Sequence, residues 1–126
     1  MAGILLVDDY VLTRTGIREL LRWHELHVCG EAKDGKEAVE KVKELNPDVV
    51  LLDVNMPVMN GLQAAVEIRR VSPTTKILFL SVHAQEAVAG VRMLADGYVC
   101  KANAGVELIP ALERLLDSKA KAGANT

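Results

Sequence analysis

The chain has 126 residues, half of them hydrophobic and a quarter charged, which is the balance of one ordinary globular domain. A chain this long buries roughly two-thirds of its unfolded surface, so a core can form without disulfides or structural metals. The formal net charge of −2 and the scarcity of aromatics (Tyr10, Trp23, Phe79 and Tyr98) disfavour nucleic-acid binding, an anionic membrane surface and any stacking platform for bases or flavin. Met-Ala-Gly lacks a basic signal region, Ile4–Val7 is too short for a signal core, and no apolar run approaches membrane-spanning length. Cytoplasmic residence and no membrane contact are therefore expected. Cys29 and Cys100 have no metal-type spacing and are expected to be buried, inert thiols.

Along the chain, the apolar run Ile4–Val7 reads as a strand that stops at Asp8-Asp9. A helical period follows over Val11–Trp23, with Leu12, Ile17, Leu20 and Leu21 on its apolar side. Val28–Ala32 is the second strand. Gly35–Leu45 is the second helix, with Ala38, Val39, Val42 and Leu45 in one stripe, Asp34 as its cap and Asn46-Pro47 as its stop. The third strand, Val49–Leu52, stops at Asp53. The third helix, Gly61–Val71, is capped by Asn60 and stopped before Pro73. Ile77–Leu80 is the fourth strand and stops at Ser81. A fourth helix is predicted over Gln85–Leu94, and a fifth strand, Tyr98–Cys100, stops at Lys101. The last helix is predicted over Ala104–Asp117 with Asn103 as cap, and Pro110 should bend it or mark a late start. Residues 1–118 read as one domain, and residues 119–126, small and polar, as a disordered tail or the start of a linker.

Strands alternating with helices predict an α/β fold: a three-layer sandwich with a parallel five-stranded sheet and helices on both faces. With right-handed crossovers, the flavodoxin-like (βα)5 arrangement with strand order 2-1-3-4-5 is the common solution at this length. That order puts Cys29 and Cys100 on opposite edge strands, roughly 19 Å apart and too far for a disulfide.

In a parallel sheet, Asp8, Asp9, Asp53, Ser81 and Lys101 all emerge at the carboxyl edge, where open α/β sheets bind ligands. Each residue alone is ordinary loop chemistry: a turn acid, a hydroxyl cap or a solvated charge. Together they say more. Three carboxylates cannot all ionise cheaply side by side without a cation. Hard oxygen ligands suit Mg2+, and a lysine facing a metal-bound acid invites an anion between them, phosphate above all.

The stretches "ILLVDDY", "PDVVLLDVNMPVMNG", "KILFLSVH" and "DGYVCK" resemble the receiver domain of bacterial two-component response regulators. They look most like the branch with a LuxR-type helix-turn-helix output. These stretches take in four of the five predicted strands, from the first to the last, so the resemblance spans essentially the whole chain. It implies that Asp53 accepts a phosphoryl group from the phosphohistidine of a sensor histidine kinase, giving an acyl phosphate. It implies Mg2+ (or Mn2+) as cofactor, with Asp9 as a direct ligand, Asp8 acting largely through water, Asp53 itself, and the backbone carbonyl of Asn55. Ser81 would bond a phosphoryl oxygen, and Lys101 would pair with Asp53 or its phosphate. Tyr98 matches an aromatic switch position, coupled to a surface made by the fourth helix, fifth strand and fifth helix. The side chains of Asn55 and His83 would tune acyl-phosphate hydrolysis. Dimerisation on phosphorylation is a further implication. A transcriptional output would lie outside this chain, which itself would not bind nucleic acid.

Two features depart from that family pattern. Ala102 stands where proline is usual after the lysine, and the segment from Ser81 to Lys101 is slightly shorter than usual, which bears on the switch surface. Two other classes stay open on sequence. One is a receiver-like interaction module that is no longer phosphorylated. The other is a small Mg2+-dependent phosphatase of haloacid-dehalogenase type, although that chemistry wants a second Asp as general acid where this chain has Asn55.

Overall fold

Five apolar runs form five parallel strands: β1 (Gly3–Val7), β2 (His27–Ala32), β3 (Val49–Asp53), β4 (Lys76–Ser81) and β5 (Gly97–Cys100). They lie in the order β2-β1-β3-β4-β5, as predicted. The computed structural model describes residues 3–54, 56, 59–81 and 94–124, with side chains to residue 118. Its helices are α1 (Val11–Trp23), α2 (Gly35–Leu45), α3 (Gly61–Val71) and a C-terminal helix (Ala104–Ala124) that follows a 3-10 turn over Lys101–Asn103. The predicted fourth helix falls outside the described residues except at Leu94.

The pleat sorts each strand's side chains into two cores. Leu5, Val7, Val50, Leu52, Ile77 and Phe79 face Ala38, Val39 and Val42 of α2 and Ala64, Ala65 and Ile68 of α3. Ile4, Leu6, Val49, Leu51, Leu78 and Leu80 face Leu21 of α1 and Leu108 and Leu112 of the C-terminal helix. Both faces of β1, β3 and β4 are covered, which is why these strands read as unbroken apolar runs rather than as an alternation. Each fully buried Leu contributes about 1.5–3 kcal/mol, so the central strands hold the carboxyl edge of the sheet firmly in place.

The helix starts follow the local chemistry. The Asp34 carboxylate accepts from the Glu37 N–H at 2.8 Å, and Asn60 and Gln63 form a reciprocal capping box at 2.9 and 3.1 Å. Each such cap is worth about 1 kcal/mol. Asn46 ends α2 in a left-handed conformation with φ 46°.

Three expectations are corrected. Leu12 is 66% exposed, together with Tyr10 and Val11, so it does not belong to the apolar side of α1; Ile17, Leu20 and Leu21 carry that side. In the first turn of α1, Val11 and Leu12 face outward while Arg14 turns inward toward the Asp8 carbonyl. The C-terminal helix starts at Ala104, contains Pro110 and runs on to Ala124 instead of ending near Asp117. Pro110 has no N–H for the Val106 carbonyl, but both residues are exposed, so solvent can take that bond. Cys29 and Cys100 are free thiols on the opposite edge strands, as expected, yet half-buried rather than buried.

Candidate phosphoacceptor site

Parallel strands bring their carboxyl ends to one edge, and register decides which residues meet there. Val7 pairs with Leu52, so Asp8 emerges beside Asp53. Asp53 is the last residue of β3 and Ser81 the last of β4, while Lys101 begins the turn after β5. One carboxylate oxygen from each of Asp8, Asp9 and Asp53 lies within 4.8 Å of the others. Asp8 and Asp53 are each 3% exposed, and Asp9 is exposed. The predicted trio of acids therefore meets at one point, with one open side.

Lys101 completes the cluster. Its Nζ donates to Asp8 Oδ2 at 2.9 Å and lies 3.4 Å from Asp53 Oδ1. Burial alone would lower the pKa of this ammonium. The hydrogen bond to Asp8 and the charges of Asp53 and Asp8 together outweigh it and hold the pKa above the ordinary 10.5. Three carboxylates against one ammonium leave two formal negative charges at the site, which a divalent cation would neutralise. With one oxygen from each acid already within 4.8 Å of the others, the cluster is compact enough for these carboxylates to hold one small hard cation, directly or through water. The donor set is all oxygen and hard, which fits Mg2+ or Mn2+ rather than a softer metal.

The loops are fixed by close backbone approach. Asp8 N–H donates to the Ala32 carbonyl at 3.1 Å, and Asp8 Oδ1 accepts from the Tyr10 N–H at 2.9 Å. The Val54 N–H donates to the Leu80 carbonyl at 3.0 Å, which extends the β3–β4 pairing past Asp53. Gly61 opens α3 directly against this segment: a Cβ there would lie 2.4 Å from the Asp53 carbonyl oxygen and 2.7 Å from Val54 Cα. Gly35 opens α2 in the same way, and its Cβ would fall 2.2 Å from the Met59 carbonyl oxygen. Only glycine lets both helix starts press onto the loop that follows Asp53.

Ser81 is fully buried at the end of β4, one position beyond the Asp53–Leu80 pair. Tyr98 sits on β5 opposite Phe79, half-buried against the α2–α3 core. It also lines a cleft of about 350 Å³ between β5 and the C-terminal helix, with Val106, Glu107, Pro110 and Arg114. Asn55 and His83 lie outside the described residues. Two contacts were not foreseen. Lys101 is nearer to Asp8 than to Asp53. Arg14 of α1 also touches the acid pair, through the Asp8 backbone carbonyl. Neither has a sequence signature, because each joins residues from separate elements by geometry alone.

Comparison with known proteins bears directly on this edge. A family model for the response regulator receiver domain matches residues 4–113. The chain is 38% identical over 116 residues to the nitrate/nitrite response regulator protein NarL of Escherichia coli K12, covering 90% of this chain and 54% of NarL. It is 35% identical over 114 residues to the chemotaxis protein CheY of Thermotoga maritima, covering 89% of this chain and 95% of CheY. It thus spans about half of NarL and nearly all of CheY. Among solved structures, the response regulator protein TrrA of Thermotoga maritima, in complex with Mg2+-BeF, superposes with a TM-score of 0.85 at 33% identity, covering 91% of this chain and 99% of TrrA. No helix among the described residues is long and apolar enough to cross a membrane. This chain belongs to the response regulator receiver domain family, the phosphoacceptor modules of two-component signalling.

Proposed function

We propose that Asp53 is the phosphoaccepting residue, that a sensor histidine kinase is the donor, and that Mg2+ (or Mn2+) is the metal. The observation that carries this reading is the convergence of Asp8, Asp9 and Asp53 within 4.8 Å, with the Lys101 ammonium beside them. An Asp53 carboxylate oxygen attacks the phosphorus of the donor. The new O–P bond forms an acyl phosphate as the P–N bond to the donor imidazole breaks, and the imidazole keeps the electron pair. Asp9, Asp53 and the Asn55 backbone carbonyl would hold the metal, with Asp8 acting largely through water. When bound, the metal neutralises charge on the transferring phosphoryl oxygens. Lys101 pairs with another of those oxygens and Ser81 donates a hydrogen bond to a third, so catalysis is mostly positioning and charge. The Asn55 and His83 side chains tune hydrolysis of the product.

The response is a two-state equilibrium biased by the new bonds at Ser81 and Lys101. Tyr98 moves with it and changes the surface of the predicted fourth helix, β5 and the C-terminal helix, where partners or, on phosphorylation, a second copy of this chain dock. The phosphorylated module acts in the cytoplasm on a transcriptional output outside these residues, and residues 1–118 form the receiver domain.

Incubation with Mg2+ and a small acyl-phosphate donor, followed by intact mass measurement, tests the reading. Wild type gains one phosphoryl group and Asp53→Asn gains none. No gain in wild type would favour an interaction module that no longer takes phosphate. Rapid turnover of many phosphate esters would favour a phosphatase.

A further inference from the structure

Arg14, on the first turn of α1, is mostly buried, with its side chain 16% exposed. Its Nη1 donates to the backbone carbonyl of Asp8, and its Nε donates to Glu31 Oε1 at 3.1 Å. Glu31 belongs to β2, in register with Leu6, and its other oxygen takes Arg18 Nη1 at 2.6 Å. A chain of charge-assisted bonds therefore runs from β2 through α1 to the Asp8-Asp9 turn.

The Asp8 carbonyl lies in the same rigid plane as the Asp9 N–H. Fixing that oxygen fixes the direction in which the chain enters Asp9. The N–H of Asp8 and its side chain are held separately, by Ala32, Tyr10 and Lys101. Asp9 is exposed, so its aim depends on that peptide plane. Arg14 is suited to the task. Its guanidinium stays charged at all relevant pH and its fork serves two acceptors at once, as a lysine ammonium on a flexible stem would do poorly.

We propose that Arg14 is a positioning residue for the cation site, setting the Asp8-Asp9 peptide plane so that Asp9 meets Mg2+ with little reorganisation. This rests on the reading of Asp8 and Asp9 as metal ligands. An ion pair that only ties α1 to β2 would behave differently, and Arg18 supplies the comparison. It bonds the same Glu31, but none of its described bonds reaches Asp8.

Calorimetric titration of the full chain with Mg2+, beside thermal unfolding in EDTA, separates the two roles. Arg14→Met should weaken Mg2+ binding about tenfold, the loss typical of a residue that orients a metal ligand. Arg14→Lys, which can keep the carbonyl but not both acceptors, should recover part of that loss; it also serves if the Met variant fails to fold. Arg18→Met should leave the Mg2+ affinity within about twofold, as expected for a part-exposed ion pair. Unchanged Mg2+ affinity in both Arg14 variants would overturn the proposal, as would an equal loss in Arg18→Met. Wild type that binds no Mg2+ would overturn both the proposal and the metal reading beneath it.

Discussion

Lys101 Nζ sits 2.9 Å from Asp8 Oδ2 and 3.4 Å from Asp53 Oδ1, so the lysine bridges the two buried acids and leans toward Asp8. It takes part of the place of a cation. Lys101→Met should cost about 2 kcal/mol in EDTA, because two buried carboxylates lose a charged hydrogen-bond partner. Mg2+ should restore much of that loss and bind more tightly than to wild type, since its competitor is gone. Urea unfolding with and without Mg2+ reads both effects, and equal stability of variant and wild type in EDTA would contradict the bridge.

The same contact has a pH signature. The folded-state pKa of Lys101 is raised above its ordinary 10.5. Its contribution to stability is therefore fully present below that value and is lost as pH rises through the higher folded pKa. As pH rises from about 10.5 through the raised folded pKa, the urea midpoint of wild type should converge on that of Lys101→Met. A gap that stays constant across that range would contradict the assignment.

Gly61 presses on the Asp53 backbone from behind, and Gly35 on Met59 in the loop that follows. Gly61→Ala forces a Cβ to within 2.4 Å of the Asp53 carbonyl oxygen, which is backbone and cannot swing away. A loss of about 2–3 kcal/mol is expected from such overpacking. Phosphorylation by a small acyl phosphate should also slow, because Asp53 shifts with the strand end. Equilibrium unfolding and timed intact mass spectra check both.

Much of this edge was legible in the sequence. Buried strands with both faces covered leave long apolar runs, and the Asp8-Asp9, Asp53, Ser81 and Lys101 stops mark where those runs end. Caps at Asp34 and Asn60 are local chemistry and came out as read. Leu12 did not: its helical spacing matches the apolar stripe, but spacing cannot tell that its position in the first turn of α1 faces outward. The end of the C-terminal helix was also misplaced, because Ser118–Ala124 contains no helix stop before Gly123, only residues that look frayed. Arg14 was invisible for a different reason. Its partners are a backbone carbonyl and a residue of β2, and one-dimensional pattern does not encode either.

Arg69 of α3 ties down the entry to β5. Its Nη2 donates to the Leu94 carbonyl at 3.1 Å and its Nη1 to the Thr75 carbonyl at 3.2 Å, and it pairs with the Asp96 carboxylate. That carboxylate also accepts from the Ile77 N–H at 2.8 Å. Arg69→Met should cost about 2 kcal/mol through the lost carbonyl and carboxylate partners. Amide exchange over Gly97–Cys100 should quicken more than over β1. Uniform exchange changes across the sheet would show that the clamp is not local.

The most direct test of the central claim is to find which atom takes the phosphoryl group. Borohydride reduces an aspartyl phosphate to homoserine, and peptide mapping after treatment of the phosphorylated protein locates the change. Homoserine at position 53, and not at Asp8 or Asp9, is the predicted result. Homoserine at either of those positions, or phosphate that survives reduction on Ser81, would contradict it.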